Sequence, residues 1–126
     1  MNLLDKVVNL EHAATEFGFQ WDNTAQIMQQ IQNECAEVQE HLLATTQARN
    51  PEDLQEEIGD LLHAVLSLCV FCKLSPQETL AASLEKFERR FNSVKAQAHE
   101  QGFSDLKGHS FETLMKFWDR AKHLVG

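Results

Sequence analysis

Apolar positions recur every three to four residues along almost the whole chain, the period of an amphipathic helix. Leu3, Val7, Leu10 and Ala14 form one stripe and predict a helix from about Leu3 to Glu16. A short connection, FGFQWDN (17–23), separates it from a second stripe, Ile27, Ile31, Val38 and Leu42, which predicts a helix from Thr24 to about Thr46. Asn50 as N-cap, Pro51 at the first helical position and Glu52 and Asp53 at the positive end of the dipole open a third helix, to about Lys73. Ser75-Pro76-Gln77-Glu78 reads as a capping box opening a fourth, which stops at Gly102. Ser110 caps a last helix, through about His123. β-Branched residues are sparse, and the connections are short enough to make neighbours antiparallel. The expected fold is all-α, an antiparallel bundle of about five helices in a single domain over residues 1–126.

The third helix breaks the amphipathic pattern. After Gly59 it is apolar nearly all round: Leu61, Leu62, Ala64, Val65, Leu66, Leu68, Cys69, Val70, Phe71. A helix without a polar face is expected to be buried on every side. A lone bundle of this size covers such a helix poorly, so a homo-oligomer with a four-helix-bundle core is expected.

Net charge is −8, with 19 acids against 11 lysines and arginines. That balance argues against nucleic acid or an anionic membrane as a partner, since both need basic patches. The longest apolar run, Leu61 to Leu74, is interrupted by His63, Ser67 and Lys73 and is too short to span a bilayer. The N-terminus has no signal-peptide pattern, and three cysteines, an odd number, fit a reduced, cytoplasmic setting. Cys69 and Cys72 lack a second pair to make a zinc site and are expected to be buried in the helix.

The acids carry the candidate chemistry. Glu34 and Glu37 are three apart in the second helix, and Glu57 and Asp60 three apart in the third. The nineteen residues between Glu37 and Glu57 suffice to finish one helix, turn and return antiparallel, so the two pairs can face each other. Four carboxylates in one pocket raise each other's pKa unless a cation joins them. Mg²⁺ takes oxygen ligands and keeps waters that a substrate phosphate displaces, and two such ions would clamp a phosphate. Acidic pairs at this spacing occur five times in the chain, and most are solvated faces. The position of Asp60 beside Ile58, Leu61 and Leu62, at the entry to an apolar helix, sets this one apart. Gly59, which costs about 1 kcal/mol of helix propensity relative to Ala, is expected to let the second helix or a ligand approach closely.

KFERRF (86–91) places Lys86 and Arg90 one turn apart, and Phe87 and Phe91 on the next face. This is either a phosphate-gripping pair or a basic stripe beside two core phenylalanines. FWDRAKH (117–123) places Trp118 and Lys122 one turn apart, suited to a base and a phosphate or to helix docking. No glycine-rich phosphate loop is present, so phosphates would be held by metal, Lys and Arg. His63 is expected in the core or an interface, Trp21 as a lid or packing residue, and Arg49 and Lys73 on the surface.

GFQW (18–21), ECAE (34–37), EEIGDLL (56–62), KFERRF (86–91) and the terminal Trp118 and Lys122, in this order, resemble the MazG family of all-α nucleoside triphosphate pyrophosphohydrolases. The resemblance implies Mg²⁺-dependent hydrolysis, with Mn²⁺ as a substitute, of a nucleoside triphosphate to monophosphate and pyrophosphate. It implies Glu34, Glu37, Glu57 and Asp60 as metal ligands and Lys86 and Arg90 as phosphate ligands. Trp118 and Lys122 would approach the nucleotide, from a neighbouring subunit in a dimer or dimer of dimers. Glu37 is the candidate general base, although water activated by the cation would need none. Ser67 and Leu84 stand where many relatives carry Asn, which bears on nucleotide preference. The alternatives are an enzyme of narrower taste, a deoxyuridine triphosphatase or phosphoribosyl-ATP pyrophosphohydrolase, and a non-catalytic helical oligomer that binds a nucleotide or protein.

Overall fold

The computed structural model describes residues 2–43 and 51–126, and all regular structure among them is α-helical. In chain order the elements are α1 (Leu3–Phe17), α2 (Thr24–Leu43), α3 (Pro51–Phe71), α4 (Pro76–Glu100) and α5 (Phe111–Val125). The expected end of the second helix at Thr46, the Asn50 cap and Arg49 lie outside the described residues. The chain groups into two compact units, one ending at Thr79 and the other running from Leu80 to Gly126.

The helix limits follow from local chemistry. The Asn2 side chain accepts from Asp5 N–H at 2.8 Å and starts α1. Asn23 Oδ1 accepts from Gln26 N–H at 3.0 Å and starts α2. Ser75 Oγ accepts from Glu78 N–H at 3.1 Å at the start of α4, and Ser110 Oγ from Thr113 N–H at 3.2 Å at the start of α5. Each satisfies an N–H that the first turn leaves without a partner. Gly102 ends α4 in the left-handed region, φ 86°, which lets Phe103 N–H return to Ala98 O at 2.9 Å. Lys73 makes the same turn after α3 at φ 61°, a conformation that costs a side-chain-bearing residue about 1 kcal/mol or more.

In the first unit α3 is the shared element, with α2 and α1 packed along it. Both run antiparallel to it: Glu34 feels the charge of Asp60 and Glu57 that of His41, while Glu11 of α1 bonds to His63 and Ser67. Ile27 is fully enclosed, and Ala64 and Ser67 are the buried residues of α3. The protected side of α1 is Leu4, Val7, Val8, Glu11 and Ala14. Leu3 and Leu10, expected on that stripe, are exposed. The helix is turned so that a carboxylate, rather than a leucine, meets α3.

Two further expectations are corrected within the single chain. The apolar α3 is not encased, since Leu62 is 61% and Val65 43% exposed. Two neighbouring helices cover only part of its circumference. Cys72 falls one residue past the end of α3 and is exposed, while Cys69 is half-buried. In the second unit Gln97, Ala98, Phe117 and Ala121 are buried. Gln97 Nε2 donates to Phe117 O at 3.1 Å and ties α4 to α5. Phe87 and Phe91 are not core residues in this chain, each remaining about half exposed.

Gly59 also departs from expectation. A methyl group built on it meets nothing within 4 Å, so it is not a point of close helix approach. Replacing Gly59 by Ala should therefore raise folding stability by about 0.5–1 kcal/mol, the helix-propensity difference. The denaturation midpoint measures this, and a lower midpoint would mean that another molecule packs on that position.

Candidate metal and phosphate site

The inward stripe of α2 runs Ile27, Ile31, Glu34, Val38, so one acid takes a position otherwise given to apolar side chains. Glu34 is buried in consequence. Gln30, one turn earlier, donates Nε2–H to Glu34 Oε1 at 2.6 Å. From α3, Glu57 enters the same space. Carboxylate oxygens of Glu34, Glu37 and Glu57 lie within 4.8 Å of one another. Glu34 Oε2 and Glu57 Oε2 are buried with no hydrogen-bond partner among the described residues. Asp60 stands outside this set of three, yet its charge acts on both Glu34 and Glu57.

The cost of this arrangement appears in the acids themselves. Desolvation, then the charges of Glu37 and Asp60, push the Glu34 carboxyl above its ordinary value. A hydrogen bond with Glu37 is the largest influence raising the Glu57 carboxyl, followed by burial and the Glu37 charge. Acceptor-only groups that converge on one space, with two orphaned oxygens, suit a hard divalent cation that takes oxygen ligands. The donor set therefore fits a divalent cation of that kind.

The other expected residues belong to the second unit. Arg90 lies over the Trp118 ring, 5.6 Å from its centroid, and donates Nε–H to Gly126 O at 3.2 Å. Phe87 packs on the same indole at 5.7 Å and on Phe91 at 5.9 Å. Arg90 and Trp118, singled out separately in the sequence, are thus joined. Lys86 is exposed on α4. Lys122 Nζ is 3.5 Å from Asp119, an exposed pair of little energetic weight.

One polar group escaped the sequence reading. Glu11 Oε1 accepts from Ser67 Oγ at 2.5 Å and lies 2.8 Å from His63 Nε2. The available signal was an acid at the helical spacing of Val7, Val8 and Ala14. His63, expected in a core or interface, is exposed and engaged with this acid. Trp21 is half-buried, and Lys73 is exposed as expected.

Residues 22–95 match the MazG nucleotide pyrophosphohydrolase domain, more than half of the chain. The chain belongs to the MazG family. It is similar to the nucleoside triphosphate pyrophosphohydrolase/pyrophosphatase MazG of Thermotoga maritima, 28% identical over 90% of this chain and 41% of that protein. It is 27% identical to a nucleoside triphosphate pyrophosphohydrolase of Escherichia coli, over 94% of this chain and 44% of that protein. An uncharacterised Bacillus subtilis protein, YabN, is 35% identical over 61% of this chain and 16% of its own length. The chain thus spans less than half the length of these relatives. The MazG match contains Glu34, Glu37, Glu57, Asp60, Lys86 and Arg90, whereas α1 and α5 lie outside it.

The raised carboxyls fix a sign. Without metal, the folded protein holds more protons than the unfolded chain between the ordinary glutamate value, 4.5, and the raised folded values. The resulting penalty is absent below that window and complete above it, so metal-free stability should fall as pH rises through it. Mg²⁺ at neutral pH should raise the melting temperature, by about 2.7 kcal/mol equivalent at a hundredfold excess over Kd, with a smaller gain at lower pH. Glu34→Gln should stabilise the metal-free protein at pH 7 and lose the Mg²⁺ increment. Thermal melts with EDTA or Mg²⁺ test both, and a metal-independent, pH-flat wild type would contradict them.

Proposed function

We propose that this chain is a Mg²⁺-dependent pyrophosphohydrolase that splits (deoxy)nucleoside triphosphates into monophosphate and pyrophosphate, in keeping with nucleotide-pool housekeeping. The observation that carries the reading is the set of three converging glutamates with two orphaned oxygens, inside the segment that matches the MazG domain. The names of the Thermotoga maritima and Escherichia coli relatives supply the reaction class.

Held by Glu34, Glu37, Glu57 and Asp60, a divalent cation would neutralise the cluster and polarise the phosphate chain. The protein's own part is positioning. The buried Glu34 and the half-buried Glu57 form the floor, and Glu37, the exposed member, would take a proton from the attacking water. Lys86 and Arg90 offset charge that develops on the phosphate oxygens. Trp118 fixes the plane of Arg90 from below, and Lys122 adds a cation at the same end. Residues 1–126 act as one catalytic domain, in the cytoplasm, without nucleic acid or membrane as partner. The exposed apolar faces of α3 and α4 are covered by a second copy, in a homodimer or dimer of dimers with a four-helix-bundle core.

Pyrophosphate release from a panel of nucleoside triphosphates should require Mg²⁺, be supported by Mn²⁺ and stop with EDTA. Absence of turnover on every nucleotide would sink the proposal. Asp60→Ala should lower kcat/KM by at least about a hundredfold, since the residue is exposed and its loss leaves no cavity. Circular dichroism and light scattering should report an unchanged fold and oligomer, and normal turnover by that variant would remove Asp60 from the site.

A further inference from the structure

The first unit holds a cleft of about 680 Å³ whose walls include Phe19, Trp21 and Phe71 and whose polar groups include Glu11, His63 and Ser67. That volume is large enough for a small molecule, and aromatic side chains beside a few convergent polar atoms suit one. The polar groups are held in place. Ser67, itself buried, donates to Glu11 Oε1, and His63 Nε2–H donates to the same oxygen. The His63 tautomer follows from its partner, because an ionised carboxylate only accepts. Among the described residues both recorded bonds of Glu11 end on Oε1, and a carboxylate has about four acceptor sites, so capacity remains for a ligand donor. The Glu11 side chain is only 19% exposed, which makes an unmatched acceptor opposite it costly.

The cleft and the acidic cluster share α3, with the cleft further along the helix. His63 and Ser67 lie three and seven residues beyond Asp60 on one stripe of α3, which puts Ser67 about 10 Å further along the helix axis at about 1.5 Å per residue. A nucleotide whose phosphates sit at the glutamates would extend its base along this stripe.

We infer that the Glu11–His63–Ser67 cleft receives the nucleobase and that Glu11 selects bases carrying an amino group. The inference rests on the proposed hydrolase reading for what lies at the acidic end. Aromatic walls accept the flat faces of any base. Only cytosine, adenine and guanine carry an exocyclic amino donor for the carboxylate; uracil and thymine carry a carbonyl at C4, whose lone pair repels it, and their donor is the ring N3–H instead. Glu11 lies on α1, outside the residues 22–95 that match the MazG domain.

The test is the difference between dCMP and dUMP, which differ at C4, amino against carbonyl, and at the adjacent N3, an acceptor in cytosine and an N–H in uracil. Calorimetric titration of the full chain in EDTA should show dCMP bound at least about tenfold more tightly. Glu11→Gln, whose carboxamide both donates and accepts, should bring the ratio close to one. Ser67→Ala, which leaves the carboxylate but frees its position, should reduce the ratio in part and stands in if the first variant misfolds. The kcat/KM ratio of dCTP to dUTP with Mg²⁺ should move in parallel. A wild-type ratio near one, no binding of either nucleotide, or a ratio unmoved by both variants overturns the inference. So does a change of oligomeric mass in Glu11→Gln without a change in ratio, which would assign the cleft to subunit packing. Turnover with an unmoved ratio defeats this inference alone. A ratio that moves without turnover on any nucleotide defeats the hydrolase reading alone.

Discussion

Mutual repulsion among Glu34, Glu37 and Glu57, brought within 4.8 Å of one another, is the constraint around which the first unit is arranged. Like charges at that distance would separate if the helices bearing them were free to move. They are kept together by packing beneath them. Ile27 is fully enclosed on α2, and the small Ala64 and Ser67 are the buried residues that α3 turns toward its neighbours. Burying apolar surface is favourable by about 25 cal/mol per Å², so a modest contact area suffices to outweigh strained carboxylates. The fold therefore stores an unfavourable electrostatic term where a cation can relieve it, as functional sites commonly do.

The same economy explains the surface. With one side of α3 packed on α2 and another on α1, Leu62 and Val65 stay exposed among the described residues. Leu84, Phe87 and Phe91 are likewise exposed on α4. Scattered apolar residues are ordinary on a protein surface, but successive turns of one helix face are not. On the proposed reading these faces meet their counterparts in a second copy, which would join the stability of the acidic site to assembly.

Much of this was legible in the sequence because it depends on neighbours along the chain. Ser75 and Ser110 act within one turn, and α4 and α5 start where these side chains predict. The meeting of Glu34 and Glu37 with Glu57 needed only the i, i+3 spacing and a returning helix. What the sequence hid depends on what lies opposite. The α1 stripe was drawn through Leu3 and Leu10 because apolar residues usually mark the inward side. The actual inward side includes Glu11, because α3 offers it Ser67 and His63 as donors. Gly59 looked like a point of close approach, and only the neighbouring atoms could show open space around it. The fate of Cys72 turned on a single residue at the end of α3.

The division between matched and unmatched segments has a physical counterpart. The segment that matches the MazG domain contains every acid of the cluster together with Lys86 and Arg90. Of the flanking helices, α5 contributes the indole that packs on Arg90, and α1 contributes the carboxylate facing Ser67. Phosphate chemistry is common to all nucleoside triphosphates, and on the proposed reading it draws on a fixed set of charges carried by α2, α3 and α4. Discrimination among bases needs only a few hydrogen-bonding atoms at the edge of a pocket, and these can be changed on a flanking helix without disturbing the charges. On the inference drawn above, Ser67 and Glu11 are such a pair, since each satisfies the other and neither belongs to the set of converging glutamates.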